Sequence, residues 1–259
     1  MKLFYTFFQY IKFVFSARNT RGNGVHSPFV YDFFEKVIYE KNPYYCFHEI
    51  EKLRNMLKNN NKMLSINDFG TGEQRAAKIS KIARRSLKSP RYAQMLFRAA
   101  LFCKSENLWE LGTSLGITTA YLAKTDSKNR VTSMEGSAEI AKIAANIFKS
   151  LNINNINIIV GNIDQTIDAA LYATDKIDFA FIDANHRYSA VIQYFNKIIP
   201  KLHENSVVVI DDLYWSKPMT KAWNEIKNHS TVVSTIDLFQ TGFVFFNKKL
   251  PKKHYKAVK

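Results

Sequence analysis

The 259-residue chain predicts an α/β fold, a mostly parallel, doubly wound sheet with an antiparallel C-terminal hairpin strand and an N-terminal helical extension. Three observations predict it. From about residue 108 onward, short apolar runs alternate with segments of helical period. Two of these runs, Ile177–Asp183 and Val207–Asp211, are almost uninterrupted and end in an acid, as central strands of a parallel sheet covered on both faces do. The last two runs are separated by little more than Leu238-Phe-Gln-Thr241. That is too short for a parallel crossover, so they should pair as an antiparallel hairpin.

The elements follow in order. Leu3, Phe4, Phe7, Phe8, Ile11, Val14 and Phe15 fall at helical spacing on one face, flanked by Lys2 and Lys12. This predicts an amphipathic helix, suited to pack on the domain, on a second copy as a homodimer contact, or on a membrane surface. A small-residue cleavage site of the secretory kind is lacking. Residues 17–30 read as a loop built on Gly22, Gly24 and Pro28. Helices are expected at 29–40 and 47–59, a basic helix at 73–88, and another from Pro90 to Cys103. Strands are expected near 108–111, 131–135, 156–160, 177–183, 206–211, 231–236 and 242–246. Helices should fill 117–124, 137–150, 163–172, 188–200 and 217–228. The expected organisation is an extension or lid at 1–88, a cofactor-binding domain at 89–247 and a basic tail at 248–259.

Composition narrows the classes. No apolar run reaches the roughly 18 to 20 residues of a spanning helix. Cys46 and Cys103 alone make no disulfide framework and fit a reducing cytoplasm. The formal net charge is +15, and it is uneven. Residues 1–31 carry four cations, 75–104 nine and 247–259 six, and none of the three tracts holds an acid. Such tracts attract anionic partners, among them RNA or a membrane surface.

The most informative motif is Glu110-Leu-Gly112-Thr113-Ser114-Leu-Gly116. It joins a short buried strand to an apolar helix. Two positions without side chains let a ligand lie on bare backbone beside a helix N-terminus. The acid suits a ligand with an ammonium or hydroxyls rather than a pyrophosphate. The glycine spacing is not the G-x-G-x-x-G of a dinucleotide site. S-adenosylmethionine (SAM) therefore fits better than NAD. The next strand ends in Glu135, which can hold both ribose hydroxyls. The third leads to Gly161-Asn162, placed to face an adenine. Asp68-Phe-Gly70-Thr-Gly72 looks like a second cofactor turn, but no apolar helix follows it, and it reads as a plain turn. Asn42-Pro-Tyr-Tyr45 lacks the second proline of an amino-methylating loop.

With Phe181-Ile-Asp183 and Ile210-Asp211-Asp212 added, residues 89–246 resemble the class I SAM-dependent methyltransferases. Within them the chain is most similar to the catechol O-methyltransferase-like, cation-dependent branch and its bacterial relatives. The resemblance implies a Rossmann-like methyltransferase sheet. The first turn would hold the methionine part of SAM, Glu135 its ribose, Asp183 would help orient it, and the residues after the third strand would flank its adenine. Asp183, Asp211 and Asp212 match the branch's metal positions, which read Asp, Asp and Asn. Three adjacent carboxylates repel one another unless a hard cation such as Mg²⁺ relieves them. The extra charge of Asp212 departs from the pattern and leaves a metal-free role for these acids open. His186 stands where the branch carries a lysine base, and an imidazole can take a hydroxyl proton. Tyr214 and Trp215 could wall a substrate pocket. The reading is a SAM-dependent methyltransferase acting on a small hydroxylated acceptor, cation assistance being an open element. An RNA-modifying enzyme using the basic tract and a non-catalytic SAM-binding module are the rivals.

Overall fold

A computed structural model describes residues 2–68 and 73–259. The chain divides into two compact units, one of residues 1–40 with 171–259 and one of residues 41–170.

The second unit carries the first half of the α/β pattern. Helix α3 (Phe47–Asn59) leads to strands β1 (Met63–Asp68) and β2 (Glu73–Lys78), then helices α4 (Ile79–Ser86) and α5 (Pro90–Phe102). Three parallel strands follow, β3 (Asn107–Leu111), β4 (Arg130–Glu135) and β5 (Ile156–Val160). Helix α6 (Ile117–Ala123) connects β3 to β4, and α7 (Ala138–Ser150) connects β4 to β5. Every residue of α6 is buried. Ser137 caps α7, its hydroxyl accepting from the Ile140 amide. Pro90 sits in the first turn of α5, where its missing N–H costs nothing.

Residues 73–88 correct one expectation. Arg, Ala, Lys and Gln give this tract helical propensity, yet the helix begins only at Ile79. Residues 73–78 instead pair antiparallel with β1 from Met63↔Lys78 to Asp68↔Glu73. Leu64 and Ile66 alternate inward on β1 and are buried. Ladder pairing and apolar burial outweigh a propensity difference of a few tenths of a kcal/mol per residue. Of the motif Asp68-Phe-Gly70-Thr-Gly72, Asp68 ends β1 and Phe69–Gly72 lie outside the described residues.

The first unit contributes helices α1 (Lys2–Ser16) and α2 (Pro28–Phe33), the latter continuing as one wider turn to Ile38. Its later part holds β6 (Ile177–Ile182), α9 (Tyr188–Ile198), β7 (Leu202–Asp211) and α10 (Lys217–Lys227). Strands β8 (Ser234–Asp237), β9 (Thr241–Phe245) and β10 (Lys253–Lys256) complete it. The strand order is β10-β8-β9-β7-β6. β6 and β7 are parallel, and β9 is antiparallel to both β7 and β8. The expected C-terminal hairpin is therefore present. The basic tail also contains a strand, because β10 adds in parallel to β8. Phe179, Phe181, Val207, Val208, Val209 and Ile210 are all buried, as their continuous apolar runs require.

Gly242 on β9 lets the Trp223 indole of α10 approach the strand closely. A Cβ there would come within 2.7 Å of indole Cζ2 and Cζ3. The indole is anchored, its Nε1–H donating to Asp237 Oδ2 at 2.9 Å. Gly242→Ala should therefore cost about 1–3 kcal/mol by overpacking, measured by urea unfolding. Trp223→Phe in the same background should recover part of the loss.

Candidate functional site

In the second unit, β3 ends at Glu110-Leu111 and the chain turns through Gly112–Gly116 into α6. Gly112 and Gly116 have φ of 108° and 80°, values that L side chains rarely adopt. Gly116 also admits a close approach by α7, since a Cβ there would lie 2.8 Å from Ala144 Cβ and from Phe148 Cε1. The Gly112 and Thr113 amides both donate to the Met134 carbonyl at 3.0 Å, fixing the turn to the end of β4.

Two carboxylates organise this turn differently. Glu110 is fully buried. Its Oε2 accepts from Ser133 Oγ at 2.7 Å and from Thr119 Oγ1, and Ser133 Oγ lies 2.6 Å from Thr113 Oγ1. Its Oε1 has no partner among the described residues. Burial pushes its carboxyl up to about 7, opposed by the Ser133 and Thr119 hydrogen bonds. Glu110 thus lies beneath the turn rather than on its surface. Glu135 is at the surface of the site. Its Oε2 accepts from the Ser114 amide at 2.8 Å and its Oε1 from the Ser137 amide at 2.9 Å. Together with Ser114 it lines a cavity of about 210 Å³.

The opposite wall of that cavity was not legible in sequence. It is built by Ile66 of β1 and by Lys81, Arg85 and Ser86 of α4. Ser86 Oγ lies 2.7 Å from Ser114 Oγ. The signal was the Lys81/Arg85 pair at i, i+4 on a short helix, but its target depended on the β1–β2 pairing. Gly161 follows β5 at φ 140°, its amide donating to the Glu135 carbonyl at 2.9 Å. Asn162 caps the next helix, α8 (Ile163–Tyr172), its Oδ1 accepting from the Asp164 amide at 3.1 Å.

The first unit carries the acids. Asp183 follows β6, and Asp212 follows β7 at φ 54°. His186 Nε2 lies 3.9 Å from Asp183 Oδ1 and 3.6 Å from Asp212 Oδ2. One ligand atom from each of the three falls within 4.8 Å of the others, and all three side chains are partly exposed. The trio brought together is thus Asp183, His186 and Asp212. Asp211, the other predicted metal ligand, is buried and accepts from Thr241 Oγ1 at 3.3 Å across the β7–β9 ladder. Tyr214 is a core aromatic whose hydroxyl donates to Asp237 at 2.7 Å, whereas Trp215 is about half exposed.

A family model described as a methyltransferase domain matches residues 109–213. No curated protein matches the chain by sequence. Among solved structures, an O-methyltransferase from Bacillus cereus in complex with SAH (S-adenosylhomocysteine) is similar at TM-score 0.57 and 17% identity, covering 83% of this chain and 96% of that one. A putative O-methyltransferase from Klebsiella pneumoniae is similar at TM-score 0.58 and 12% identity, over 84% and 96% of the two chains. TomG, an O-methyltransferase from Streptomyces achromogenes involved in tomaymycin synthesis and solved with SAM, is similar at 0.55 and 17%, over 62% and 82%. At these identities the structural likeness establishes the fold.

The buried Glu110 makes stability depend on pH. Its folded value of about 7 lies above the ordinary carboxyl value of 4.5, so the native state holds the proton longer. Its contribution is full below about pH 4.5 and is lost as pH rises toward 7. The loss is about 3 kcal/mol. Glu110→Gln keeps the shape and removes the titration. Urea unfolding from pH 5 to 8 should show this fall in the wild type and a flatter profile in the variant.

Proposed function

We propose that this chain is a class I SAM-dependent methyltransferase, its methyltransferase domain lying at residues 109–213, and that it methylates a hydroxyl of a small acceptor. The observation that carries the hydroxyl assignment is the Asp183–His186–Asp212 trio. An imidazole flanked by two carboxylates can take a hydroxyl proton and be stabilised as the imidazolium. That the solved structures similar to this one include O-methyltransferases supports the same reading.

The residues of the turn fit the donor by their chemistry. SAM, when bound, supplies a methyl group on an electrophilic sulfonium. Glu135 would hold the ribose, since a carboxylate has about four acceptor positions and can accept from amides and hydroxyls together. Gly112, Thr113, Ser114 and Gly116 would present backbone to the methionine part. Glu110 keeps that turn in place from below through Thr119 and Ser133. Gly161 and Asn162 would flank the adenine. His186 would take the acceptor's hydroxyl proton at Nε2, with Asp183 and Asp212 holding the charged ring. Much of the rate would come from positioning.

The trio's geometry also favours a second reading, in which Asp183, His186 and Asp212 ligate a divalent cation. Two carboxylates with one imidazole suit Mn²⁺ or Zn²⁺ as well as Mg²⁺. The two readings exclude each other at one atom, because a coordinated Nε2 has no lone pair for a proton. Buried Asp211 is assigned in both to the β7–β9 strand ends.

The test is methyl transfer from labelled SAM to small phenols and alcohols, with RNA run in parallel. Transfer to a hydroxyl is expected, and transfer to RNA alone would remove the reading. His186→Ala should lower kcat by about 10²-fold and flatten the acid limb of its pH profile. Activity that survives EDTA supports the base. Activity abolished by EDTA and restored by Mn²⁺ or Mg²⁺ supports the cation.

A further inference from the structure

Helix α1 shows its most apolar side to solvent. At about 100° per residue, Phe4, Phe7, Phe8, Ile11, Val14 and Phe15 fall within an arc of roughly 120°. All six are exposed, from 36% at Ile11 to 86% at Phe15. The sequence predicts that this face is covered, but the unit holds the helix by its other side. Phe13 is buried against the stacked rings of Tyr214 and Phe239, at 5.9 and 5.4 Å between centroids. Tyr10 packs edge-on to Phe239 at 5.0 Å, and Tyr5 donates to Thr220 Oγ1 at 2.9 Å. Those contacts settle the helix's orientation and leave the phenylalanine arc outward.

Cations rim this arc. Lys12, Arg18 and Lys256 line an open depression with Ile11 and Phe15. Lys256 comes from β10, and its Nζ donates to Ser16 Oγ at 3.3 Å at the end of α1. Lys252 and Lys253 of the same C-terminal segment are exposed. Neither residues 1–31 nor residues 247–259 contain an acid. Exposed rings on one side of a helix and a rim of one charge sign match the features of a helix lying in a lipid interface.

We propose that α1 docks this chain on an anionic lipid surface, the phenylalanine arc entering the headgroup boundary and the Lys12, Arg18 and Lys256 rim meeting the headgroups. Charge decides the occupant. A second copy meeting this face across a two-fold axis would bring two such cation rims together, and neither residues 1–31 nor residues 247–259 supply an acid to offset them. Anionic headgroups neutralise them. The helix lies on the membrane rather than through it, since no helix among the described residues is long and apolar enough to cross.

The experiment is flotation of the full chain with vesicles of phosphatidylcholine, alone and mixed with phosphatidylglycerol. Binding to the mixed vesicles that weakens with added salt is expected. Phe4→Ser with Phe8→Ser and Phe15→Ser should weaken it by at least about tenfold. Lys12→Glu with Arg18→Glu should do the same while leaving the rings in place. All five positions are exposed, so circular dichroism should be unchanged. Failure of the wild type to float, or equal flotation of the phenylalanine variant, would overturn the proposal. So would a phenylalanine-dependent dimer in sedimentation velocity without lipid binding, which would assign the face to a second copy.

Discussion

The carboxylate of Glu135 joins two turns that the sequence places far apart. Through Oε2 it holds the Ser114 amide of the β3–α6 turn, and through Oε1 the Ser137 amide at the start of α7. Charge-assisted bonds of this kind are roughly twice as strong as neutral ones. Much of the second unit's site depends on that arrangement. The Met134 carbonyl beside it receives Gly112 and Thr113, and its own carbonyl receives Gly161. One strand end thus sets the ends of its two neighbours. The close approach of α6 and α7 at Gly116 leaves no room for a side chain between them.

Glu110 and Glu135 show how environment separates two acids on adjacent strands. Both stand near strand ends in one sheet, yet one is sealed and the other lines a cavity. The sealed one loses hydration and holds its proton toward neutrality, while its hydroxyl partners tie strand, turn and helix together. The half-buried one accepts from the Ser114 and Ser137 amides beside the cavity. The same division recurs in the other unit, where Asp211 is buried against Thr241 and Asp212, one residue later, turns outward to His186. Successive strand residues point to opposite faces, and the positive φ of Asp212 re-aims its side chain as the strand ends.

Much of the fold was legible because its signals are local. Continuous apolar runs marked β6 and β7, and a short connection marked the β8–β9 hairpin. The glycine turn and the strand-ending acids marked the candidate site by position alone. What stayed hidden rests on contacts distant in sequence. Nothing within Glu73–Lys78 announces a strand, since only its pairing with β1 makes it one, and the cavity wall of Lys81, Arg85 and Ser86 depends on that hairpin. The hydrophobic pattern of α1 gave the helix and its apolar face correctly. It did not say which side the protein would use, and the aromatic set of Phe13, Tyr214 and Phe239 chose the other one. The Asp-His-Asp grouping was obscured because Asp211 and Asp212 look equivalent in a sequence and differ only in burial.

The central claim is that the turn at Glu110–Gly116, with Glu135, holds SAM. Titration calorimetry of the full chain with SAM, beside Glu135→Gln, tests it most directly. The wild type should bind, and the variant should bind at least about tenfold more weakly through loss of charge-assisted hydrogen bonds while retaining its circular dichroism. Equal affinities in the two proteins, or no binding by the wild type, would contradict the account.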